Sequence, residues 1–213
     1  MKKLLKKVLP YVFSIALIFV MLPLLFASCN KPEDPTDDLD KQAACEKLDT
    51  LVDKSYSTVN LTVTTKNGDI TLVSAYEFSL DKVEYSIDKL TSFTLEDGVI
   101  VSPESYKETV TGTAEVKGDK VISLDGNLEL PEYNVLVGGF NFDSENLTDY
   151  NKGEAADSFK VTDASAFLGT TVNTSDMNVS AVYNDNALIS ITVTYTDGDV
   201  SVTLNYSYGN LAE

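Results

Sequence analysis

The stretch that decides the fold is Met177–Tyr208, MNVSAVYNDNALISITVTYTDGDVSVTLNYSY. Met177, Val179, Ala181 and Tyr183 alternate with polar or small residues, a period of two that sends successive side chains to opposite faces of a strand. A turn at Asn184–Asn186 leads to a second alternating run, Ile189, Ile191, Val193 and Tyr195. Asp197-Gly198 turns the chain again into Val200, Val202, Leu204, Tyr206 and Tyr208. Three consecutive strands, each with one apolar and one polar face, predict an antiparallel sheet with one buried and one wet side.

The same pattern extends upstream. Val59, Leu61 and Val63 alternate with threonines and Asn60 up to Asn67-Gly68, a type I′ hairpin signal. Ile70, Leu72, Tyr76, Phe78 and Leu80 share one parity on the return strand. A turn at Asp81-Lys82 leads into Val83, Tyr85 and Ile87, and the ribbon runs on towards Phe93. Asp97-Gly98, Lys117-Gly118-Asp119 and Asp125-Gly126-Asn127 punctuate shorter strands around 99–101, 106–116, 120–124 and 127–137. Gly138-Gly139, ahead of Phe140 and Phe142, reads as a bend where the sheet curls. Asp143–Lys160 is polar and reads as loop, and Asp163–Leu168 as a short helix.

Ahead of the strands, Thr36–Ser55 carries Ala44, Cys45, Leu48, Leu51 and Val52 on one helical stripe, with Thr36 or Asp37 as cap and acids in the first turn. The expected fold is α+β and mostly β: a curved antiparallel meander of eight to ten strands, half-barrel-like, with this helix and a short central helix on one face.

The first 28 residues are of another kind. Met1–Lys7 is basic, and Val8–Phe26 is apolar apart from Pro10, Ser14 and Pro23. As a helix this run would be roughly 28 Å long, close to a bilayer core, but its two prolines and flanks read as a secretory signal. The segment Leu25-Phe26-Ala27-Ser28-Cys29 resembles the lipobox of bacterial lipoproteins. Ala27, Ser28 and Cys29 match that pattern, and Phe26 stands where leucine is usual. The resemblance implies cleavage between Ser28 and Cys29, lipidation of the Cys29 thiol, and a membrane as partner through that anchor. Residues 29–36 would form a proline-rich, acidic tether, and 37–213 the β domain. Localisation would be the cell envelope, outside the cytoplasm.

The architecture of anchor, leading helix, meander, central helical insertion and final three strands is similar to the LolA and LppX half-barrel group of lipoproteins, and the chain also resembles uncharacterised lipoproteins of low-GC bacteria. The half-barrel likeness implies an apolar cavity between concave sheet and helices that holds acyl chains.

Composition narrows the chemistry. The chain has no His, and none of its 16 basic residues is Arg. A Ser-His-Asp or Cys-His arrangement, a histidine metal ligand and a bidentate guanidinium are all excluded. Four lysines and no acid lie in the first 28 residues, so the chain from Cys29 carries 33 acids against 12 lysines, a formal charge of −21. Such a body repels phosphate backbones, so nucleic acid is set aside. With Cys29 acylated, Cys45 is the only thiol left and reads as a small buried apolar residue. The Asp125–Glu129 and Asp197–Asp199 stretches lack EF-hand spacing and read as turns, so neither a metal nor a cofactor is expected.

Two functions compete. One is non-enzymatic binding or carriage of a lipid or other apolar ligand, lined by Tyr76, Phe78, Tyr85, Phe140 and Phe142, although core or sheet packing is the default reading of these aromatics. The other is an adhesion or scaffolding module with no ligand cavity. A carboxylate-based hydrolase comes third, since no pair among the acids is singled out.

Overall fold

The structure, a computed structural model, describes residues 35–91, 95–96, 99–100, 107–123, 128–174 and 176–212. The expected signal sequence, Ser28, Cys29 and most of the tether lie outside the described residues, as do Phe93, Asp97-Gly98 and Asp125-Gly126-Asn127. Helix α1 spans Pro35–Val52. It thus starts one residue before the expected cap, on a proline whose fixed φ suits a first turn. Ala44, Cys45, Leu48 and Leu51 are buried as the stripe predicts, whereas Leu39 is 69% exposed.

Among the described residues ten strands form one antiparallel sheet, β1 (Val59–Asn67), β2 (Ile70–Ser79), β3 (Lys82–Leu90), β6 (Lys107–Lys117), β7 (Lys120–Ser123), β8 (Leu147–Lys152), β9 (Asp157–Val161), β10 (Met177–Tyr183), β11 (Leu188–Asp197) and β12 (Val200–Tyr208). A separate pair, β4 (Leu95–Glu96) and β5 (Val99–Ile100), lies between β3 and β6. The sheet order is β7-β6-β3-β2-β1-β12-β11-β10-β9-β8. The first and last strands therefore pair at its centre, Val59 opposite Tyr208 through Lys66 opposite Ser201. Two meanders run outward from that seam. Their outermost strands, β7 and β8, are not paired with each other, so the curved, half-barrel-like sheet stays open.

Adjacent rows across the sheet show the period of two at work. One row reads Gly112, Tyr85, Tyr76, Leu61, Tyr206, Ile191, Ala181, Asp157 from β6 to β9. The neighbouring row reads Thr111, Ser86, Ala75, Thr62, Asn205, Thr192, Ser180, Ser158. The first faces the core and the second faces water. At its end the Tyr85 ring lies across Gly112, where an added Cβ would sit 2.4 Å from the phenol oxygen. The aromatic ring covers the gap that a glycine leaves in a strand.

Three hairpins close on the same two residues, Gly68-Asp69, Gly118-Asp119 and Gly198-Asp199, with glycine φ of 56, 65 and 59°. Asn67 pairs with Ile70, and among the described residues Asp69 has no positive φ, so the expected type I′ turn centred on Asn67-Gly68 does not form. Leu80-Asp81 fills the equivalent loop between β2 and β3, and Leu80 takes the left-handed φ of 48°. Leu80 thus leaves the apolar face to which its parity assigned it and is 78% exposed.

Other expectations are corrected in the middle of the chain. In place of the strand expected over 127–137, the described residues 128–132 are irregular backbone followed by helix α2, Tyr133–Val137. Pro131 withholds a ladder N–H, and Gly138 closes the helix in the left-handed region at φ 67°. The glycine pair is therefore a helix end, not a sheet bend. Asp143–Lys160 is not loop: it holds a 3₁₀ turn (Ser144–Asn146), β8 and most of β9. Its alternation is masked by a register shift between Thr148 and Asn151, with Asp149 at φ 49°. Near the C-terminus, Leu188 is buried and Ile189 is 48% exposed, reversing the expected parity, because β11 carries one extra residue there: Val182 pairs with Ser190 and Tyr183 with Leu188, which leaves Ile189 out of the register. Helix α3, Ala164–Leu168, forms as expected with the Asp163 carboxylate accepting from the Ala166 N–H.

Residues 128–146, ahead of β8, cross the buried face, where α2 rests on β1 and β2. Helix α1 is pinned to the other wing. Lys41 and Lys47 on the helix, and Lys54 just beyond its end, donate from their ammonium groups to the carbonyls of Leu147, Asp185 and Asn186. The Tyr56 hydroxyl donates to the Leu51 carbonyl and accepts the Leu188 N–H, each at 2.9 Å, tying the end of α1 to β11.

Candidate binding groove

The five aromatic residues singled out by the sequence are all buried, between 2% and 8% exposed. The structure does not bring them together around one space. Tyr76, Phe78 and Tyr85 lie on the inner faces of β2 and β3, and Phe78 meets Tyr133 edge-on at 5.7 Å between ring centres. Phe140 and Phe142 belong to the crossing segment under the other wing. Phe140 stacks on Phe167 at 5.0 Å and meets Tyr206 edge-on at 4.9 Å, while Phe142 meets Phe167 at 5.3 Å and Phe159 at 6.1 Å. Stacked and edge-to-face rings at these separations fill the space with favourable quadrupole contacts.

Two small residues make this cluster fit. Asn134 donates from Nδ2 to the carbonyls of Gly139 (2.9 Å) and Leu168 (3.1 Å), locking α2 to α3. A Cβ at Gly139 would come within 2.2 Å of the Asn134 amide oxygen, so the glycine is required by close approach. Nothing in the sequence marks Asn134 for this role, because its partners lie up to 34 positions away.

Beside α1 there is a crevice of about 340 Å³ lined by Gln42, Cys45, Glu46, Asp49, Asn141 and Phe142, among others. Its walls are mostly amide and carboxylate, unsuited to an acyl chain. Cys45 is 2% exposed, and burial, with Asp143, Asp49 and Asp157 nearby, pushes its thiol up to about 11 despite Lys41. It stays a protonated, inert thiol at neutral pH.

Asp157, on β9, is the buried acid among the described residues. It accepts hydrogen bonds from the hydroxyls of Tyr183 (2.5 Å) and Tyr150 (3.5 Å). Burial, then the Asp157 charge, pushes Tyr150 up to about 12; burial and the hydrogen bond to Asp157 push Tyr183 higher still. Both phenols remain donors at neutral pH and neither serves there as a base. The trio satisfies a buried carboxylate beside the register shift in β10. Among the described residues no group of His, Cys, Asp and Glu is arranged to hold a metal ion.

The larger space lies at the opposite edge of the sheet. An open groove of about 690 Å³ runs between β7 and the segment 128–134, lined by Lys120, Val121, Ile122, Leu128, Leu130 and Tyr133, with Asp119, Pro131 and Glu132 among its further lining residues. Pro131 and the Phe78–Tyr133 contact fix its far wall, since one stiffens the backbone and the other anchors the ring. The sequence reading missed this groove, having assigned residues 127–137 to a strand that would have filled it. Pro131, close to the β7 run, was the available signal against a central strand there.

Among the described residues, no helix is long and apolar enough to cross a membrane. No known protein family matches this chain, and a search of curated proteins finds no match.

Proposed function

We propose that this protein is a lipid-anchored, non-enzymatic module of the bacterial cell envelope, held to a membrane through Cys29, that engages a partner on its surface. The observation that supports surface engagement over interior carriage is the ring cluster of Phe140, Phe142, Phe159, Phe167 and Tyr206, which occupies the space where a half-barrel carrier would hold acyl chains. The anchor rests on Ala27-Ser28-Cys29 following an apolar run with a basic start. An acidic body at the end of a proline-containing tether stands off anionic headgroups and faces outward.

A second reading has an observation of its own. The groove at β7 has a volume within the range of small-molecule sites, about 300–1,000 Å³, and Leu128, Leu130 and Tyr133 on its wall suit an apolar ligand.

The test of the anchor is metabolic labelling of cells making the full chain with a palmitate analogue. The wild type takes label and partitions with membranes, and Cys29→Ser takes none. Equal labelling of both, or membrane residence and size unchanged by the substitution, overturns the proposal. Native mass spectrometry of the full chain in detergent separates the two readings: a lipid bound stoichiometrically besides the covalent anchor favours the apolar-ligand reading over surface engagement.

A further inference from the structure

The outward row of the sheet that runs from Thr111 on β6 to Ser158 on β9 holds one residue from each of eight strands and no charge. All but Ala75 carry a hydroxyl or a carboxamide. At about 4.8 Å per strand the row spans about 34 Å. On β1, β12, β11 and β10 the rows beside it continue the pattern. One reads Thr64, Thr203, Thr194, Asn178, and the other Asn60, Ser207, Ser190, Val182. Three rows on four strands give twelve outward positions, all exposed or half-buried; Val182 alone lacks a hydroxyl or carboxamide, and none is charged. A protein surface is about 25–35% charged, so about three or four charges are expected in such a patch. Strand propensity accounts for the threonines but not for the missing charge. On β2, β3 and β6 the same face carries Glu77 opposite Glu84 and Lys82 opposite Glu115. Beside the patch, Asp88 is paired with Lys107 at 2.7 Å and Lys160 with Asp176 at 3.3 Å.

We propose that this outer face binds a neutral polysaccharide laid across the strands. This rests on the surface-engagement reading above and names the partner's chemistry. Charge and polarity select it. An anionic polymer is repelled by a chain of net charge −17, and so is a second copy of the chain. A cationic polymer finds no carboxylate among the twelve positions, and an apolar ligand meets hydroxyls and amides. A neutral polyol exchanges its hydrogen bonds with water for bonds to this face with no ion to desolvate. The Thr192 hydroxyl donates to the Asn205 amide oxygen at 3.1 Å, which fixes that amide and leaves its Nδ2 to donate to a ligand. Because the face repeats from strand to strand, a repeating polymer gains many weak contacts at once, whereas a single sugar gains few.

The experiment is retention of the full chain, in detergent, on immobilised neutral glucan, mannan and galactan, beside an anionic polyuronate and cationic chitosan. The inference expects retention on a neutral polymer, undiminished as salt rises, and competed by long chains far better than by monosaccharide. Thr203→Lys should weaken retention tenfold or more, and Asn205→Ala, which adds no bulk, several-fold. Asp53→Lys, just beyond the end of α1, should leave it unchanged. The melting temperature is measured for each variant and should stay in place. Retention on chitosan alone, lost in salt, is the attraction of any acidic chain and overturns this inference. So does retention on a neutral polymer that both outer-face variants leave intact, or a dimer, seen by light scattering, that Thr203→Lys dissolves. Each of these leaves surface engagement standing. No retention on any polymer also overturns this inference, and a lipid bound stoichiometrically besides the anchor would then overturn surface engagement as well.

Discussion

Tyr206 and Tyr208 are neighbours on the inner face of β12, stacked at 6.5 Å, yet removal of their hydroxyls should act in opposite directions. The Tyr206 hydroxyl donates to the Val135 carbonyl at 2.7 Å, tying the sheet to α2. Phenylalanine there loses a hydrogen bond, but the Val135 carbonyl keeps the Gly138 N–H at 3.3 Å, so the cost sits near the low end, about 1 kcal/mol. The Tyr208 hydroxyl is buried with no hydrogen-bond partner among the described residues, and a Cβ placed on Gly138 would come within 2.4 Å of it. Burial drives both phenols well above their ordinary pKa, so neither is relieved by ionising. Phenylalanine at 208 removes an unsatisfied polar atom and should add about 1 kcal/mol. In a domain of this size, 1 kcal/mol corresponds to about 2–4 °C. Thermal unfolding should therefore place Tyr206→Phe below and Tyr208→Phe above wild type, separated by about 4–8 °C. If Tyr208→Phe melts at or below the wild-type temperature, the hydroxyl has a partner and the reasoning fails.

Other perturbations follow from the same physics. Leu80 holds a left-handed φ that glycine takes in the three sister hairpins; Leu80→Gly should raise stability by about 0.5–1 kcal/mol in urea unfolding, and a loss would show that the side chain contributes more than its strain costs. Phe167 is fully buried among Phe140 and Phe142; Phe167→Ala should cost about 3–5 kcal/mol, and a loss under about 1 kcal/mol would mean the cluster is not a packed core. Tyr56, Tyr76, Tyr150, Tyr183, Tyr195, Tyr206 and Tyr208 all have raised pKa values, in each case chiefly through burial. Their contribution is fully present below the unfolded value of about 10 and is lost as pH rises through the folded values. With no His in the chain, the melting temperature should hold level between about pH 6 and 9 and fall steeply above about pH 10. A decline centred near pH 7 would contradict that assignment.

Much of the fold was legible because strand periodicity is a local property. Val59–Val63, Val83–Ile87 and Val200–Tyr208 each carry their inner and outer faces in plain alternation, and the stripe Ala44, Cys45, Leu48, Leu51 gives the helix its buried side. Legibility failed where local pattern and tertiary geometry part. Register shifts at Thr148/Asn151 and Val182/Tyr183 move residues by one position and so exchange faces, which hid β8 and reversed Leu188 and Ile189. The run from Tyr133 to Val137 has a strand-like composition but lies as a helix on β1 and β2, with its end set by Gly138.

The sequence by itself determined the class of chain: an apolar run before Cys29, a strongly acidic body without His or Arg, and strands with one wet face. These depend only on residue type and spacing of neighbours. Tertiary structure alone decided that β1 pairs with β12, that Phe140 and Phe142 pack into a ring cluster, and that a groove opens beside β7. Each of these depends on contacts between residues far apart in the chain, and no local period encodes which distant surfaces meet.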